Sequence, residues 1–251
     1  VFVVDNISKM FITGPEVVKT VLGEEVSMED LGGARVHACI SGNAHFFAST
    51  EAECFEQIKK LLTFIPWNNQ RKAKAFPSKA PKAEYNIEKI LPADPTQPYD
   101  VRDIIKAVAD DSDFFEVQQD FAQNIVVGFG RVDGETIGFV ANQPLVLAGV
   151  LDCDSADKAG RFIRFCDAFN IPVLTLVNVK GYKAKMCSER RIAKAAARLT
   201  YAYANASVPK VTVIVKEAFG SAYLTMGSKS IGADVVYAWP NAVIGMMNPA
   251  E

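Results

Sequence analysis

Three short apolar segments alternate with helical patterns in the second half of the chain, at residues 172–179, 211–215 and 235–239. The run at 172–179 is near-continuous and typical of a strand that is buried on both faces, 211–215 is interpreted as another buried strand, and 235–239 as a third strand. Helical patterns at 155–169 and 189–204 precede the first two of these strands. Because strands that alternate with helices form βα units, the sequence predicts an α/β fold with a largely parallel sheet.

A β-hairpin is predicted just before these units. The patterns at 124–130 and 136–141 are typical of strands, and Asp133-Gly134 lies between them. The favoured two-residue hairpin turn requires a positive φ at both central positions, and Asp-Gly is one of the pairs that supply it. The sequence therefore predicts an antiparallel strand pair here, preceded by a helix at 101–109.

The first 70 residues carry signals for helix starts and stops. Gly14-Pro15 predicts a helix that runs to Leu22 and ends at Gly23, and Ser27 can cap a second helix. Thr50, followed three residues later by Glu53, has the pattern of a capping box. The helix after Thr50 has one apolar face, formed by Cys54, Ile58, Leu61, Leu62 and Ile65.

A segment rich in proline and lysine divides the chain. Six of the twelve prolines lie between Pro66 and Pro98, and basic residues stand among them: Arg71, Lys72, Lys74, Lys79, Lys82 and Lys89. This composition is typical of a linker. We therefore predict one domain segment at residues 1–70, a linker at 71–98 and a second domain segment at 99–251. The basic cluster fits either a solvated linker or a contact with a phosphate or an acidic partner.

Composition and charge argue against several classes of protein, including nucleic-acid-binding and membrane-spanning proteins. The net charge of −2 gives no global basic field for nucleic acid. The longest apolar stretch, near 137–151, is interrupted by Asn142-Gln143-Pro144, so no transmembrane helix is expected. The first residues show no signal-peptide pattern. Five cysteines without a Cys-x-x-Cys pair predict reduced thiols, a cytoplasmic location and no metal site.

The strongest candidate for a functional site is the junction after the strand at 211–215, where Gly220-Ser221-Ala222 leads into a short helix predicted at 222–229. Small residues let a ligand approach the backbone closely. The first N–H groups of a helix have no intrahelical partner, so they can bind an anion or a developing oxyanion. A tight turn that needs small residues for packing is the alternative. Ser221 as a nucleophile is disfavoured, because neither a Gly-x-Ser-x-Gly motif nor a downstream histidine is present.

A second loop follows the strand at 172–179 and contains Lys180, Gly181 and Tyr182. Ligands of parallel sheets bind beyond the carboxyl ends of the strands, so two such loops on neighbouring strands are expected to face one cleft. The next helix carries a basic stripe of Arg190, Lys194 and Arg198. This stripe fits either a nucleotide phosphate or, more simply, a solvated helix face.

The order of short motifs along the chain resembles that of the carboxyltransferase (beta) subunit of biotin-dependent acyl-CoA carboxylases, and of the related acyl-CoA decarboxylases and transcarboxylases. The matching segments cover most of the chain: 11–19, 23–34, 98–103, 140–144, 147–152, 161–170, 208–210, 218–220 with 222–223, 232–234 and 237–240. The resemblance implies a crotonase-like fold of the ββα superhelix type, with parts of two related domains. It also implies that residues 1–70 end an N domain and that 99–251 begin a C domain, truncated at both ends.

The resemblance further implies an activity. A carboxyl group would pass between carboxybiotin, held by a biotin carboxyl carrier protein, and the α-carbon of a short acyl-CoA. The active site would lie between the N domain of one subunit and the C domain of another, so a homo-oligomer is expected. A membrane would be involved only indirectly, if the subunit works in a decarboxylase pump. No metal and no nucleic acid are implied.

Site residues follow from the same resemblance. Ser221 and Ala222, after Gly220, hold the positions whose backbone N–H groups polarise the substrate carbonyl. Gly181 and Tyr182 stand in the loop expected to contact substrate. Leu224 occupies the position at which the family often has an Asp that is linked to the choice of acyl group. No residue is assigned to biotin, and a second donor pair would lie in an N-domain segment upstream of residue 1.

Three departures from the family's pattern are visible. The loop that commonly has Pro-Gly-Phe and a second glycine has Lys180-Gly181-Tyr182 and no second glycine nearby. The Arg-His-Gly stretch of the next helix is replaced around residues 191–194, and the Asp after Ala-Tyr is Leu224.

Two other functions stay open. One is a non-catalytic assembly or CoA-binding paralogue. The other is a CoA hydrolase or isomerase of the crotonase type, which would need a carboxylate in the cleft, with Glu189 and Glu217 as the nearest candidates.

Overall fold

The computed structural model describes residues 1–82, 84–92, 94 and 97–247. It divides into two compact units, and we call Val1–Leu62 with Val117–Ala122 the first unit and Thr63–Glu116 with Gln123–Glu251 the second. Residues 83, 93, 95 and 96 of the predicted linker, and residues 248–251 of the predicted second domain, lie outside the described residues. The assignment of domains at 1–70 and 99–251 stays a prediction.

The first unit is built from short elements around two small cores. Strand β1 (Phe2–Val4) pairs in parallel with β2 (Phe46–Ala48). The helices are α1 (Pro15–Leu22), α2 (Met28–Gly32), a π-helical turn at Val36–Ile40 and α3 (Glu51–Phe64), whose last two residues count with the second unit. Alanines fill one core, where Ala34, Ala38 and Ala44 pack with Val3.

The helix signals at Gly23 and Ser27 are confirmed, while the capping box at Thr50 is half formed, because the Glu53 carboxylate accepts from the Ser49 N–H. Gly23 ends α1 with a φ of +74°, a left-handed conformation that glycine adopts without steric cost. The Ser27 hydroxyl accepts a hydrogen bond from the Asp30 N–H, and the Thr50 hydroxyl accepts one from the Glu53 N–H.

The predicted apolar face of α3 is partly wrong. Leu62 is 49% exposed, whereas Phe64 is completely buried. The Phe64 ring stacks on Phe129 at a centroid distance of 5.9 Å, and this aromatic contact fixes which side of the last turn faces inward.

A seven-stranded sheet is found among the described residues of the second unit, with the strand order β3-β4-β5-β6-β7-β8 and β9 added alongside β7. The strands are β3 (Phe115–Val117), β4 (Ile125–Val132), β5 (Glu135–Asn142), β6 (Val173–Val179), β7 (Lys210–Phe219), β8 (Val235–Ala238) and β9 (Val243–Gly245). β5 to β9 pair in parallel, so the predicted parallel sheet is confirmed. β4 and β5 form the predicted hairpin, with φ of +51° at Asp133 and +80° at Gly134.

Helices cover both faces of this sheet. They are α4 (Ile87–Ile90), α5 (Val101–Val108), α6 (Cys153–Ala168), α7 (Met186–Asn205) and α8 (Gly220–Thr225), with 3₁₀ turns at Asp110–Ser112, Leu147–Gly149 and Lys229–Ile231. Phe139 of β5 packs in a core with Ile104 and Ile105 of α5. The adjacent Gly138 points the other way, and a Cβ there would lie 2.6 Å from the Cys166 Sγ of α6. Strands β5 and β6 are therefore buried on both faces, as the apolar sequence of β6 predicts. Strand β8 differs, because Val235 and Tyr237 are 39% and 62% exposed.

The described start of the predicted linker packs on the second unit. The Phe76 N–H donates to the Gly134 carbonyl at 3.0 Å, and the Lys79 ammonium lies 3.3 Å from an Asp111 carboxylate oxygen. The Arg131 guanidinium lies between the Phe64 and Phe76 rings, at 4.2 and 4.1 Å from their centroids. This stretch is therefore held against the hairpin turn.

Two further observations concern the described residues alone. None of their helices combines the length and the apolar character that crossing a membrane requires. Among the cysteines whose side chains the structure describes, Cys39, Cys54, Cys153 and Cys166 are not in disulfides.

Candidate active site

The junction between β7 and α8 needs glycine at its first position. Gly220 has a φ of +59°, in the left-handed region, and a Cβ there would lie 3.1 Å from the Met246 carbonyl oxygen. Ser221 and Ala222 follow as the second and third residues of α8, and Phe219 provides no side-chain cap. Their N–H groups therefore have no acceptor within the helix. The predicted helix at 222–229 begins two residues earlier and ends at Thr225, because Met226 and Gly227 leave the helical conformation.

A β-bulge sets the direction in which β7 enters this junction. Val177 pairs with Ile214 and Val179 pairs with Ala218, so one residue of β6 faces three residues of β7. That one residue is Asn178, whose Oδ1 accepts a hydrogen bond from the Glu217 N–H at 3.3 Å. Bulges bend the strand that carries the extra residues. The end of β7 continues beyond β8 and pairs with β9.

Asn178 is held in place by two more hydrogen bonds. Its Nδ2 donates to the Tyr99 hydroxyl at 3.1 Å, and its backbone N–H donates to the Asn142 Oδ1 at 3.2 Å. All three side chains are buried. Burial, opposed by the hydrogen bond from Asn178, raises the Tyr99 pKa far above its ordinary value, so this phenol stays neutral. Sequence reasoning missed this network, although an asparagine inside the apolar run of β6 is a signal for it.

The loop after β6 and the helix α8 meet, as the topology predicts. The Tyr182 hydroxyl lies 2.7 Å from the Thr225 Oγ1, and Thr225 is buried in α8. Burial raises the Tyr182 pKa, and the hydrogen bond to Thr225 opposes this shift. The phenol therefore stays protonated at neutral pH and can donate. Apart from Gly181 and its two chain neighbours, no described heavy atom lies within 4 Å of the position that a Cβ would take at Gly181, so the loop faces open space there.

Ion pairs flank this loop on both sides. The Lys180 ammonium lies 3.6 Å from a Glu217 carboxylate oxygen, and Lys183 lies 3.7 Å from an Asp152 oxygen. Glu217, one of the two carboxylates considered for hydrolase chemistry, is thus paired with a lysine, and Glu189 is exposed on α7.

The remaining candidates are at the surface. Leu224 is 40% exposed on α8, and the Ser221 side chain is exposed. Both histidines, His37 and His45, belong to the first unit, whereas Ser221 belongs to the second.

Of the basic stripe on α7, Arg198 forms an ion pair of 2.8 Å with Asp157 of α6. No group of three or more His, Cys, Asp or Glu side chains is arranged for a metal ion within the described part of the chain.

A comparison with known protein families shows to which family the chain belongs. The carboxyl transferase domain family matches residues 1–251. The chain belongs to the carboxyl transferase family. The resemblance seen in the sequence is therefore confirmed.

Curated relatives of this carboxyl transferase chain act on acyl-CoA compounds, as their names state. The biotin-dependent acetyl-/propionyl-coenzyme A carboxylase beta5 subunit of Mycobacterium tuberculosis is 47% identical over 257 residues, which cover 98% of this chain and 47% of that protein. Methylmalonyl-CoA decarboxylase subunit alpha of Veillonella parvula is 46% identical over 253 residues, covering 100% of this chain and 50% of that protein. The chain thus spans about half the length of the curated relatives it matches.

A solved structure confirms the fold. The chain is similar to transcarboxylase 12S, crystallised as a hexamer with hydrolysed methylmalonyl-coenzyme A bound, with a TM-score of 0.93 and 43% identity. The similarity covers 98% of this chain and 49% of that one. The predicted crotonase-like α/β fold is therefore confirmed, while the roles of the individual site residues stay predictions.

Proposed function

We propose that the complete subunit containing this chain transfers a carboxyl group between carboxybiotin and the α-carbon of a short acyl-CoA. Family membership supports this proposal, together with relatives named as an acetyl-/propionyl-CoA carboxylase and a methylmalonyl-CoA decarboxylase. The observation that carries the mechanism is the β7–α8 junction, where two N–H groups without intrahelical acceptors follow Gly220.

In this mechanism Ser221 and Ala222 act through their backbone. As the α-carbon loses a proton or CO₂, the thioester carbonyl oxygen gains negative charge, and both N–H groups donate to it. The left-handed Gly220 turns the chain so that both donors stand in the first turn of α8. Fixed donors need no reorganisation as the charge develops, which is why such sites lower the barrier.

The carrier's biotin would supply the CO₂ chemistry: as carboxybiotin it would give up CO₂, and as biotin it would accept CO₂, with a proton exchanged between its ureido nitrogen and the α-carbon. No side-chain base is then required in the second unit, which agrees with its lack of histidine. The described residues fit the acyl-CoA side of such a reaction, because the two N–H donors and the apolar Leu224 belong to the same short helix. Gly181 and Tyr182 contribute to substrate binding from the neighbouring loop, and no residue is assigned to biotin.

The partners follow from this function. We infer that a biotin carboxyl carrier protein delivers the biotin, that the complete subunit is a cytoplasmic homo-oligomer, and that any membrane link is indirect. The hexamer assembly named for transcarboxylase 12S supports the oligomer. We also infer that residues 1–70 belong to an N domain, that 71–98 are a linker and that 99–251 belong to a C domain.

The test is biotin-dependent carboxyl exchange by the complete subunit. The ¹⁴C-labelled carboxyl group of methylmalonyl-CoA is expected to appear on a biotinylated carrier protein, with avidin-blocked carrier as the control. A non-catalytic paralogue would bind the acyl-CoA and transfer no label. A CoA hydrolase would release free CoA whether or not the carrier is blocked.

Leu224→Asp is expected to change acyl-chain preference. An apolar pocket selects chain length by shape, which is worth about 1–3 kcal/mol per methylene, and a carboxylate in its place changes both polarity and shape. The measurement is the ratio of kcat/KM values for acetyl-, propionyl- and butyryl-CoA in the complete subunit. If the ratios equal those of the unsubstituted subunit, Leu224 lies outside the acyl pocket.

A further inference from the structure

Two hydrogen bonds connect the loop after β6 to the first turn of α8. The Thr225 hydroxyl donates to the Ala222 carbonyl at 3.0 Å, and the same oxygen lies 2.7 Å from the Tyr182 hydroxyl. Because a threonine hydroxyl has one proton and Thr225 gives it to Ala222, the proton between Thr225 and Tyr182 comes from Tyr182. The direction of the chain is therefore Tyr182 to Thr225 to Ala222, and bonds in such a chain polarise one another.

The other side of the loop is anchored in the core. The Leu151 N–H donates to the Gly181 carbonyl at 3.1 Å, and the Lys183 N–H donates to the Leu151 carbonyl at 2.8 Å. Leu151 is fully buried and directly precedes Asp152, the N-cap of α6. Tyr182 therefore projects toward α8 from a segment that is fixed on both of its flanks.

The orientation of helix α8 depends on contacts with residues outside the helix. It has six residues and no side-chain cap at its start. A helix of this length is not stable on its own, so packing and tertiary hydrogen bonds determine its orientation. The ion pairs at Lys180 and Lys183 involve side chains that are 48% and 30% exposed, and exposed ion pairs contribute little. The Tyr182 hydroxyl, in contrast, forms a hydrogen bond with Thr225 of α8 itself.

We propose that Tyr182 is a positioning residue, whose hydroxyl acts through Thr225 to hold the first turn of α8 in the orientation in which its N–H groups meet the thioester oxygen. This inference rests on the function proposed above and gives the Tyr182 hydroxyl a role separate from substrate binding by the rest of the loop, which Tyr182→Phe retains. It also concerns a feature of this sequence, since Tyr182 stands where the family's loop commonly has Phe, which has no hydroxyl.

The test is a double-mutant cycle in the complete subunit. Tyr182→Phe and Thr225→Val each remove one hydroxyl and keep most of the side-chain volume. We expect each variant to lower kcat and kcat/KM together by about three- to tenfold, the effect of one hydrogen bond, with KM unchanged. The double variant is expected to be no worse than Thr225→Val, because both substitutions interrupt the same chain.

Matched controls separate positioning from general loss of a hydroxyl. Tyr201→Phe removes an exposed phenol of α7, and Thr200→Val removes the same kind of hydrogen bond to a preceding carbonyl, that of Ala196. Both controls are expected to retain wild-type kcat. Effects of Tyr182→Phe and Thr225→Val that multiply in the double variant, or an unchanged kcat in Tyr182→Phe, would overturn the proposal.

A readout without turnover keeps this inference separate from the proposed function. Hydrogen–deuterium exchange is expected to be three- to tenfold faster in Tyr182→Phe at the amides of residues 224–226, whose N–H groups are hydrogen-bonded within α8, and unchanged in Tyr201→Phe. If the unsubstituted subunit transfers no carboxyl group, the proposed function fails, while faster exchange in Tyr182→Phe still supports the tether. Unchanged exchange at residues 224–226 contradicts the tether even when the subunit is active.

Discussion

Ala222→Pro is expected to lower carboxyl transfer by the complete subunit by about 10²–10³-fold, because it removes one N–H donor aimed at the developing oxyanion. Proline is tolerated in the first turn of a helix, so the fold can survive the change. Ser221→Ala keeps its N–H and is expected to lower the rate less than tenfold. The measurement is the steady-state rate of carboxyl exchange for each variant, with a thermal melt of the same samples.

The control for Ala222→Pro addresses backbone strain. Proline also restricts the residue before it, here Ser221. Ser188→Pro places proline at the same third position of the longer helix α7 and is expected to retain near wild-type activity. If Ser221→Ala abolishes turnover while the thermal melt is unchanged, the Ser221 hydroxyl takes part in the reaction. The backbone mechanism is then replaced by one in which Ser221 is a nucleophile or its hydroxyl donates directly to the substrate.

The 251-residue chain by itself is expected to show no carboxyl transfer above about one hundredth of the rate of the complete subunit. Its relatives are about twice as long, and the family resemblance places a second donor pair, facing the other substrate, in an N-domain segment upstream of residue 1. Removing one oxyanion donor typically costs about 10²–10³ in rate, so the loss of a pair costs at least as much.

The experiment compares residues 1–251 with the complete subunit under identical carrier and acyl-CoA concentrations. Circular dichroism of the short chain verifies that it is folded, since an unfolded sample would be inactive for a different reason. A rate for the folded short chain that equals that of the complete subunit contradicts the requirement for the upstream segment.

Local sequence signals predicted the elements that depend on local physics. The Asp133-Gly134 turn, the Gly23 helix end and the Ser27 cap are each determined by two to four residues, and the structure contains all three. The strands β6 and β7 were predictable because burial on both faces leaves a continuous apolar run. The junction at Gly220-Ser221-Ala222 was predicted as a candidate site from its small residues and the helix start, with a tight turn as the alternative. The roles of the individual site residues came from the family resemblance.

Features that depend on distant residues were not predictable in this way. Strand β9 is three residues long and exists through its pairing with the end of β7. The bulge at Asn178 requires the register of two strands that are more than 30 residues apart in sequence. Leu62 fits the helical period of α3 as well as Phe64 does, and only the contact with Phe129 decides between them. The hydrogen bond from Tyr182 to Thr225 was not predictable for the same reason, because it joins two separate elements.

The most direct measurement of the central claim is the carbonyl stretch of a bound thioester. In isotope-edited infrared spectra, propionyl-CoA labelled with ¹³C at the thioester carbonyl is bound to the complete subunit and to its Ala222→Pro variant. Two fixed N–H donors polarise the carbonyl, so its band is expected at lower frequency in the complex than in water, and this shift is expected to shrink in Ala222→Pro. A carbonyl band at its aqueous frequency in the unsubstituted complex, or an equal shift in both proteins, would contradict donation from the start of α8.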